Sequence, residues 1–283
     1  MKLKFGLYLP NYGKAVNARA LSELAAEAET AGWDGFFLWD HILGGRSTKN
    51  PMVDPWVALT AMAMTTDRIR LGTTVTPLAR RRPWKLARET VTLDHLSGGR
   101  LTLSVGLGAP DEAEFAAFGE DADRRVRAEK LDEGLEILTG LWKGSPFSYQ
   151  GKHYLLDKMT FRPATFQQPR IPVWVGGYWP NPAPFRRAAR YDGVFPLKHN
   201  SALTANDLRN MRAFIQKHRT TNEPFDMVMM GYTHGEEPEH ARKKLQPFVE
   251  AGMTWWLESL FRQKDSYEDL LAHIRQGPPA VEK

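Results

Sequence analysis

Residue types able to do chemistry gather at a few places in this chain. Trp39-Asp40-His41 sets a carboxylate beside an imidazole, and an imidazole titrates near neutral pH, so it can take up or give a proton during a reaction. Gly176-Gly177-Tyr178-Trp179-Pro180-Asn181-Pro182 leads into a helix around Phe185-Arg186-Arg187-Ala188. Glycine amides facing a helix N-terminus, with arginines nearby, make a cradle for phosphate. Gly106-Leu107-Gly108-Ala109-Pro110-Asp111 lets a ligand approach the backbone closely. It is not a dinucleotide fingerprint, because Asp111 stands at the third glycine position and a proline interrupts. Gly72-Thr73-Thr74-Val75-Thr76-Pro77 offers small hydroxyl residues against which a flat ring could lie. Each stretch has a plainer reading: Asp40 could cap a loop or pair with a nearby arginine, leaving His41 a surface residue. The threonines also simply favour strands, and the glycine stretch could be an ordinary turn.

Other chemistries have less support. The chain has no cysteine, which removes disulfides, thiolate zinc sites, iron–sulfur clusters and thiol nucleophiles and suits a cytoplasmic protein. Its eight histidines show no H-x-H or H-x-x-x-H spacing, so no metal site is expected. No G-x-S-x-G elbow appears. A barrel glycosidase would need paired carboxylates, which Asp111, Glu112 and Glu114 or Glu236 and Glu237 could supply. The formal charge of +5 is spread out, with one tight cluster at Arg80-Arg81-Arg82, so small anionic molecules are better partners than nucleic acid. Phe5–Leu9 is stopped by Pro10 and Asn11, too short for a signal-peptide core, and neither membrane spans nor disorder is expected at 42% hydrophobic and 25% charged residues.

These candidates need a scaffold. Eight short apolar runs recur: Phe5–Leu9, Gly35–Trp39, Ile69–Thr76, Leu101–Leu107, Pro172–Val175, Gly193–Leu197, Phe225–Gly231 and Met253–Leu257. Several are apolar throughout, as strands covered on both faces are. A helical pattern follows each. Leu21, Leu24, Ala25 and Ala28 share one face before Gly32, Asp54-Pro55 and Pro83 open helices, and a long helix spans about Asp123 to Trp142. Thr204-x-x-Asp207 and Ser266-x-x-Asp269 resemble capping boxes, and Pro247 should kink the helix after the seventh strand. Eight strand–helix units with right-handed crossovers predict an α/β fold, a (β/α)8 TIM barrel in one domain over residues 1–283. A hairpin-containing insertion at about 144–170 falls between units four and five. In such barrels the active site lies at the C-terminal ends of the strands, where every stretch named above falls. The insertion and the Gly44–Pro51 loop are the expected lids.

The residues also resemble a family. Phe5–Pro10, Gly35–His41, Arg68–Pro77, Leu93-Asp94-His95-Leu96-Ser97-Gly98-Gly99-Arg100 running into Gly106-Leu107-Gly108, Ile171–Gly177 and Ala189–Gly193 are similar, in order, to the luciferase-like flavin- and deazaflavin-dependent oxidoreductases. That resemblance implies a TIM barrel that is usually a homodimer, with the ring of FMN or coenzyme F420 over the barrel mouth. Thr74-Val75 matches the position where the family tends to carry a non-proline cis peptide behind the ring. Tyr8, Thr76, Gly106 and Gly108 join them as expected ring contacts, and Gly176, Gly177, Tyr178 and Trp179 match the phosphate loop. His41 and Asp111 fall where deazaflavin-using members have a histidine and an acid, here aspartate in place of glutamate, with His41 expected to be oriented by Asp40. The implied activity is FMN-dependent monooxygenation or F420-dependent hydride transfer on a small organic substrate. A flavin reductase or NADPH-linked supply of reduced cofactor is the implied partner. A carrier or sensor that binds flavin without catalysis is the alternative.

Overall fold

A computed structural model describes residues 3–14, 16–44, 50–233, 237–260 and 266–279. The barrel strands are β1 (Lys4–Leu9), β2 (Gly35–Leu38), β3 (Arg70–Pro77) and β4 (Leu101–Gly106); the antiparallel pair β5 (Pro146–Gln150) and β6 (Leu155–Thr160) intervenes, then β7 (Val173–Trp179), β8 (Gly193–Lys198), β9 (Asp226–Gly231) and β10 (Trp255–Ser259) complete it. All barrel neighbours pair in parallel, and β10 returns to β1 to close the cylinder. The eight strands are those expected, six within one residue at each end and two with larger changes of extent. β7 continues four residues beyond Val175 because Gly176–Trp179 keep pairing with Phe195–Lys198 of β8. β10 starts two residues later than its apolar run and ends at Ser259.

The helices follow from local chemistry. α1 (Ala18–Thr30) begins where the Asn17 side chain accepts the Ala20 amide, and α2 (Pro55–Met64) where Asp54 accepts the amides of Trp56 and Val57. Proline also opens α3 (Pro83–Leu96). After the short α4 (Asp111–Glu114), Asp123 caps α5 (Arg124–Leu141), which buries Leu131, Leu135 and Leu138 and ends at Trp142. α6 (Pro182–Ala188) follows β7. Both capping boxes are formed, at the starts of α7 (Ala205–His218) and α9 (Tyr267–Arg275). Between them, α8 (Pro238–Glu250) carries Pro247 inside its last turn. Among the described residues no helix is long and apolar enough to cross a membrane.

One of the two expected lids differs from expectation. The hairpin β5–β6 lies along the outside of α5: Glu133 accepts the amides of Lys152, His153 and Tyr154, and Tyr149 donates to Glu136. It stiffens the barrel wall and does not cover the mouth. Of the Gly44–Pro51 loop, residues 45–49 lie outside the described residues. The Leu93–Arg100 block is architectural. Asp94 accepts both the backbone and side-chain amides of Gln167, and Arg100 donates to the carbonyls of Ala63, Thr66, Ile69 and Ser97, closing the C-terminal end of α2.

The bore is filled with aromatic side chains. Phe37, Trp174 and Trp255 meet with centroids 5.0, 5.8 and 5.5 Å apart, and Tyr8, Phe195, Val228 and Leu257 stack in the same cluster. Partly buried Trp39, Val75 and Leu197 top it. Glycines make room where strands crowd: a Cβ on Gly72 would sit 2.1 Å from the Thr102 carbonyl oxygen. Gly72→Ala should therefore destabilise the barrel by about 3 kcal/mol, the upper end for overpacking because backbone cannot step aside. A fall in thermal midpoint no larger than that of an exposed helix substitution would contradict this.

Candidate active site

The site is best built outward from Glu114, the last residue of α4. Its carboxylate is buried and is surrounded by donors. The backbone amides of Ile42 and Leu43 reach it at 3.0 Å each and that of Gly44 at 2.6 Å, Arg80 Nη1 donates to Oε2, and His41 Nδ1 lies 3.2 Å from Oε1. Burial alone would raise this carboxyl, but the hydrogen bonds from His41 and the three amides outweigh it and hold it well below the usual carboxylate range. Glu114 is thus an anion at working pH that fixes both the His41 ring and the start of the loop after it. The backbone of His41 is pinned separately: Asn11, fully buried at the end of β1, donates to the His41 carbonyl at 2.9 Å and accepts its amide at 3.2 Å.

Asp40 plays a different part from the one expected of it. Its carboxylate, 3% exposed, accepts Arg81 Nη2 at 2.7 Å, Thr76 Oγ1 at 2.9 Å, Arg80 Nη2 at 3.3 Å and Trp56 Nε1 at 3.4 Å. It is sealed beneath the arginines of the 3-10 turn after β3 and does not orient His41. Thr76 is turned into this network, bonded also to Thr73 at 2.8 Å, and has no exposed surface to offer a ligand. Asp111 is held by Arg124 at 2.9 Å and Arg127 at 2.7 Å. Partial burial would raise its carboxyl, but these two arginines lower it. The acid joined to the histidine is therefore Glu114, three residues further on. No single position in the sequence marks it, although the Asp111-x-x-Glu114 spacing does put both acids on one turn.

His41 itself is 20% exposed and sits at the rim of the mouth among aromatic rings. Its centroid is 5.5 Å from Trp39 and 6.0 Å from Tyr12, and Trp39 in turn is 5.5 Å from Tyr8. Burial raises the Tyr8 hydroxyl above the ordinary phenol range, and the neighbouring hydroxyls of Tyr178, Tyr232 and Tyr12 push it the same way, so Tyr8 stays neutral. With Nδ1 given to Glu114, Nε2 is the ring atom left to exchange a proton with a reactant.

Beside His41, on the neighbouring strand β3, lies a smoother region. The ladder between β3 and β4 shifts register between Thr73 and Thr76, and the Thr74–Val75 peptide is cis. The Val75 side chain fills the space left by two glycines, since a Cβ on Gly106 would meet Val75 at 2.9 Å and one on Gly176 at 2.7 Å. The buried Thr74 Oγ1 has no hydrogen-bond partner. Gly108 has φ of +78° and turns the chain over Pro77. Gly177 lets α6 pack directly on β7, as a Cβ there would strike Pro184 at 2.2 Å. Tyr178 stacks on His199 at 3.9 Å, while Trp179 packs back on Phe185 at 5.0 Å. The expected phosphate loop is thus the end of a strand. The arginines expected to charge it lie elsewhere, in the last turn of α6, with Arg187 bound to Asp132 at 2.6 Å.

Two further places were candidates for chemistry. Of the carboxylates a glycosidase would need, Asp111 is held by Arg124 and Arg127 and Glu114 by Arg80 and three amides, and Glu236 lies outside the described residues. A cavity of about 1090 Å³ opens at the opposite end of the barrel, beside Phe5, Asp34, Arg212 and Phe225, separated from the mouth by the aromatic bore.

The fold is a filled parallel α/β barrel whose mouth pairs a carboxylate-held histidine with a glycine-flanked floor. The chain belongs to the luciferase-like monooxygenase family, whose model matches residues 3–277. Among its relatives is the F420-dependent glucose-6-phosphate dehydrogenase of Nakamurella multipartita, 34% identical over 219 residues, 74% of this chain and 61% of that protein. The chain thus spans about three fifths of that relative's length. In fold it matches an F420-dependent secondary alcohol dehydrogenase (TM-score 0.80, 18% identity, all of both chains). The oxygenating constituent of 3,6-diketocamphane monooxygenase from Pseudomonas putida also matches (TM-score 0.76, 15% identity, 98% of this chain and 96% of that one).

Because Glu114 is lowered on folding, it adds stability above the ordinary carboxylate range, and that stability is lost as pH falls through its folded value. Glu114→Gln should cost about 3 kcal/mol at pH 7, since Arg80 loses a buried partner, and should flatten the acid limb of the thermal midpoint plotted against pH. An unchanged acid limb would contradict the role given to this carboxylate.

Proposed function

We propose that this chain is an oxidoreductase that holds a flavin-type ring, FMN or coenzyme F420, at the barrel mouth and acts on a small organic molecule, and that of the two it uses F420 for hydride transfer. The observation that carries the choice is the His41–Glu114 pair, 3.2 Å apart, beside the ring floor. Family membership and the F420-dependent relative support it.

The residues present fit such a ring. Val75 and the glycines about it leave a surface without protruding side chains, and the unpartnered Thr74 hydroxyl supplies a hydrogen bond at its edge. Gly176 to Tyr178 would hold the chain that carries the phosphate. When bound, F420 supplies a two-electron hydride acceptor or donor without oxygen, whereas reduced FMN would activate dioxygen.

The protein's own part is proton handling and exclusion of water. His41 Nε2 accepts the hydroxyl proton as an alcohol becomes a carbonyl and returns it in the reverse direction. Glu114 keeps the Nδ1–H tautomer in place and stabilises the imidazolium formed, while the Asn11 bonds fix the ring's base. Tyr8, Trp39 and Tyr12 keep the site dry.

Titration of the purified chain with FMN and with F420 separately should give tighter binding of F420. His41→Ala should leave that dissociation constant within about twofold and slow turnover by ~10²-fold or more. Tighter binding of FMN would overturn the choice of cofactor, and unchanged turnover would remove His41 from the chemistry. Binding of either ring with no turnover on a broad panel of alcohols and carbonyl compounds would leave a carrier or sensor.

A further inference from the structure

The two oxygens of Glu114 are divided between unlike donors. Oε1 takes His41 Nδ1 at 3.2 Å with the amides of Leu43 at 3.0 Å and Gly44 at 2.6 Å, whereas Oε2 takes the Ile42 amide at 3.0 Å and Arg80 Nη1. The other terminal nitrogen of Arg80 donates to the Asp40 carbonyl, the peptide oxygen just before His41, at 2.8 Å. One planar guanidinium thus holds both the backbone that leads into His41 and the carboxylate that holds its ring, a use of the two-pronged donor that a lysine ammonium lacks. The Arg80 side chain is 3% exposed, and its Nε is buried without a hydrogen bond, so it is placed for its two outer nitrogens.

The charges follow from the same bonds. Among the described residues, the titratable groups about His41 are Glu114 of α4, Arg80 of the turn after β3, Tyr12 and, beyond Trp39, Tyr8; Asp40 is turned away onto Arg81. Burial and the Glu114 charge raise the Tyr12 hydroxyl, and burial raises that of Tyr8, so both are neutral and one anion faces one cation. A carboxylate with no cation on it would strongly stabilise an imidazolium, and a histidine already protonated cannot take a proton from a reactant. Arg80 draws off part of that stabilisation, while the three backbone amides keep Glu114 ionised.

Resting on the part given to His41 above, we propose that Arg80 is a positioning residue for the reaction. It fixes which oxygen of Glu114 faces the imidazole, and it takes up enough of the carboxylate's charge to leave His41 free to accept a proton.

The test follows the His41 imidazole in the whole chain by nitrogen-15 NMR against pH, with His41→Ala identifying its signals, and so does not depend on turnover. Variants are compared with the unaltered chain, and what the rest of the mouth contributes is common to all of them. Arg80→Gln should raise the His41 titration midpoint by about one pH unit, a gain of about tenfold in proton affinity. Where Arg80→Gln alone does not fold, Arg80→Gln with Asp40→Asn keeps the buried charges balanced, and a rise is expected there too. Arg81→Gln removes an equal charge one residue on, from Asp40 and not from Glu114, and should leave the midpoint within about 0.3 pH unit. In the enzyme loaded with whichever cofactor it binds, the acid limb of kcat against pH should move up with the midpoint in Arg80→Gln. An unchanged or lowered midpoint in the Arg80 variants, or an equal rise in Arg81→Gln, overturns the proposal. A midpoint that rises while the acid limb stays in place overturns instead the reading of His41 as the proton carrier.

Discussion

One buried carboxylate organises the His41 edge of this barrel mouth. Glu114 gathers three successive backbone amides, an arginine and an imidazole around two oxygen atoms. A charge that deep is tolerable only because it is so fully hydrogen-bonded, and the same bonds that stabilise the anion fix the geometry of everything that donates to it. Arg80 then carries the constraint onward to Asp40, and Asp40 to Thr76, next to Val75 on β3. The His41 edge and the Val75 stretch are joined through this chain of charge, so neither can shift alone.

The architecture was legible in the sequence because its signals are local. An apolar run of four to eight residues, a proline or aspartate at a helix start and a Thr-x-x-Asp box each act within a few residues, and each is found where its pattern stands. The family resemblance was likewise legible, although its most telling block, Leu93–Arg100, proves to hold α2 and Gln167 in place and to touch nothing at the mouth.

The site was legible only by position. His41 stands at a strand end, as expected, but its partner was sought in its neighbour. Adjacent residues on extended chain point to opposite sides, so Asp40 and His41 could not both serve one ring. Asp40 turned inward to the arginines, and His41 found an acid 73 positions away. That pairing depends on how β2 and α4 are brought together, which no local pattern records. Asn11 was hidden for the same reason: its value lies in reaching across to His41 and Val53. The extra length of β7 came from pairing with β8, again a tertiary matter, and it turned an expected loop into strand.

The aromatic packing of Phe37, Trp174 and Trp255 has a consequence for traffic. It stops the barrel like a cork, so the cavity at the far end gives no back door to the mouth. Whatever enters must leave by the doorway through which it came. On the proposed reading, a ring held on the Val75 side and any smaller molecule would have to share that one doorway.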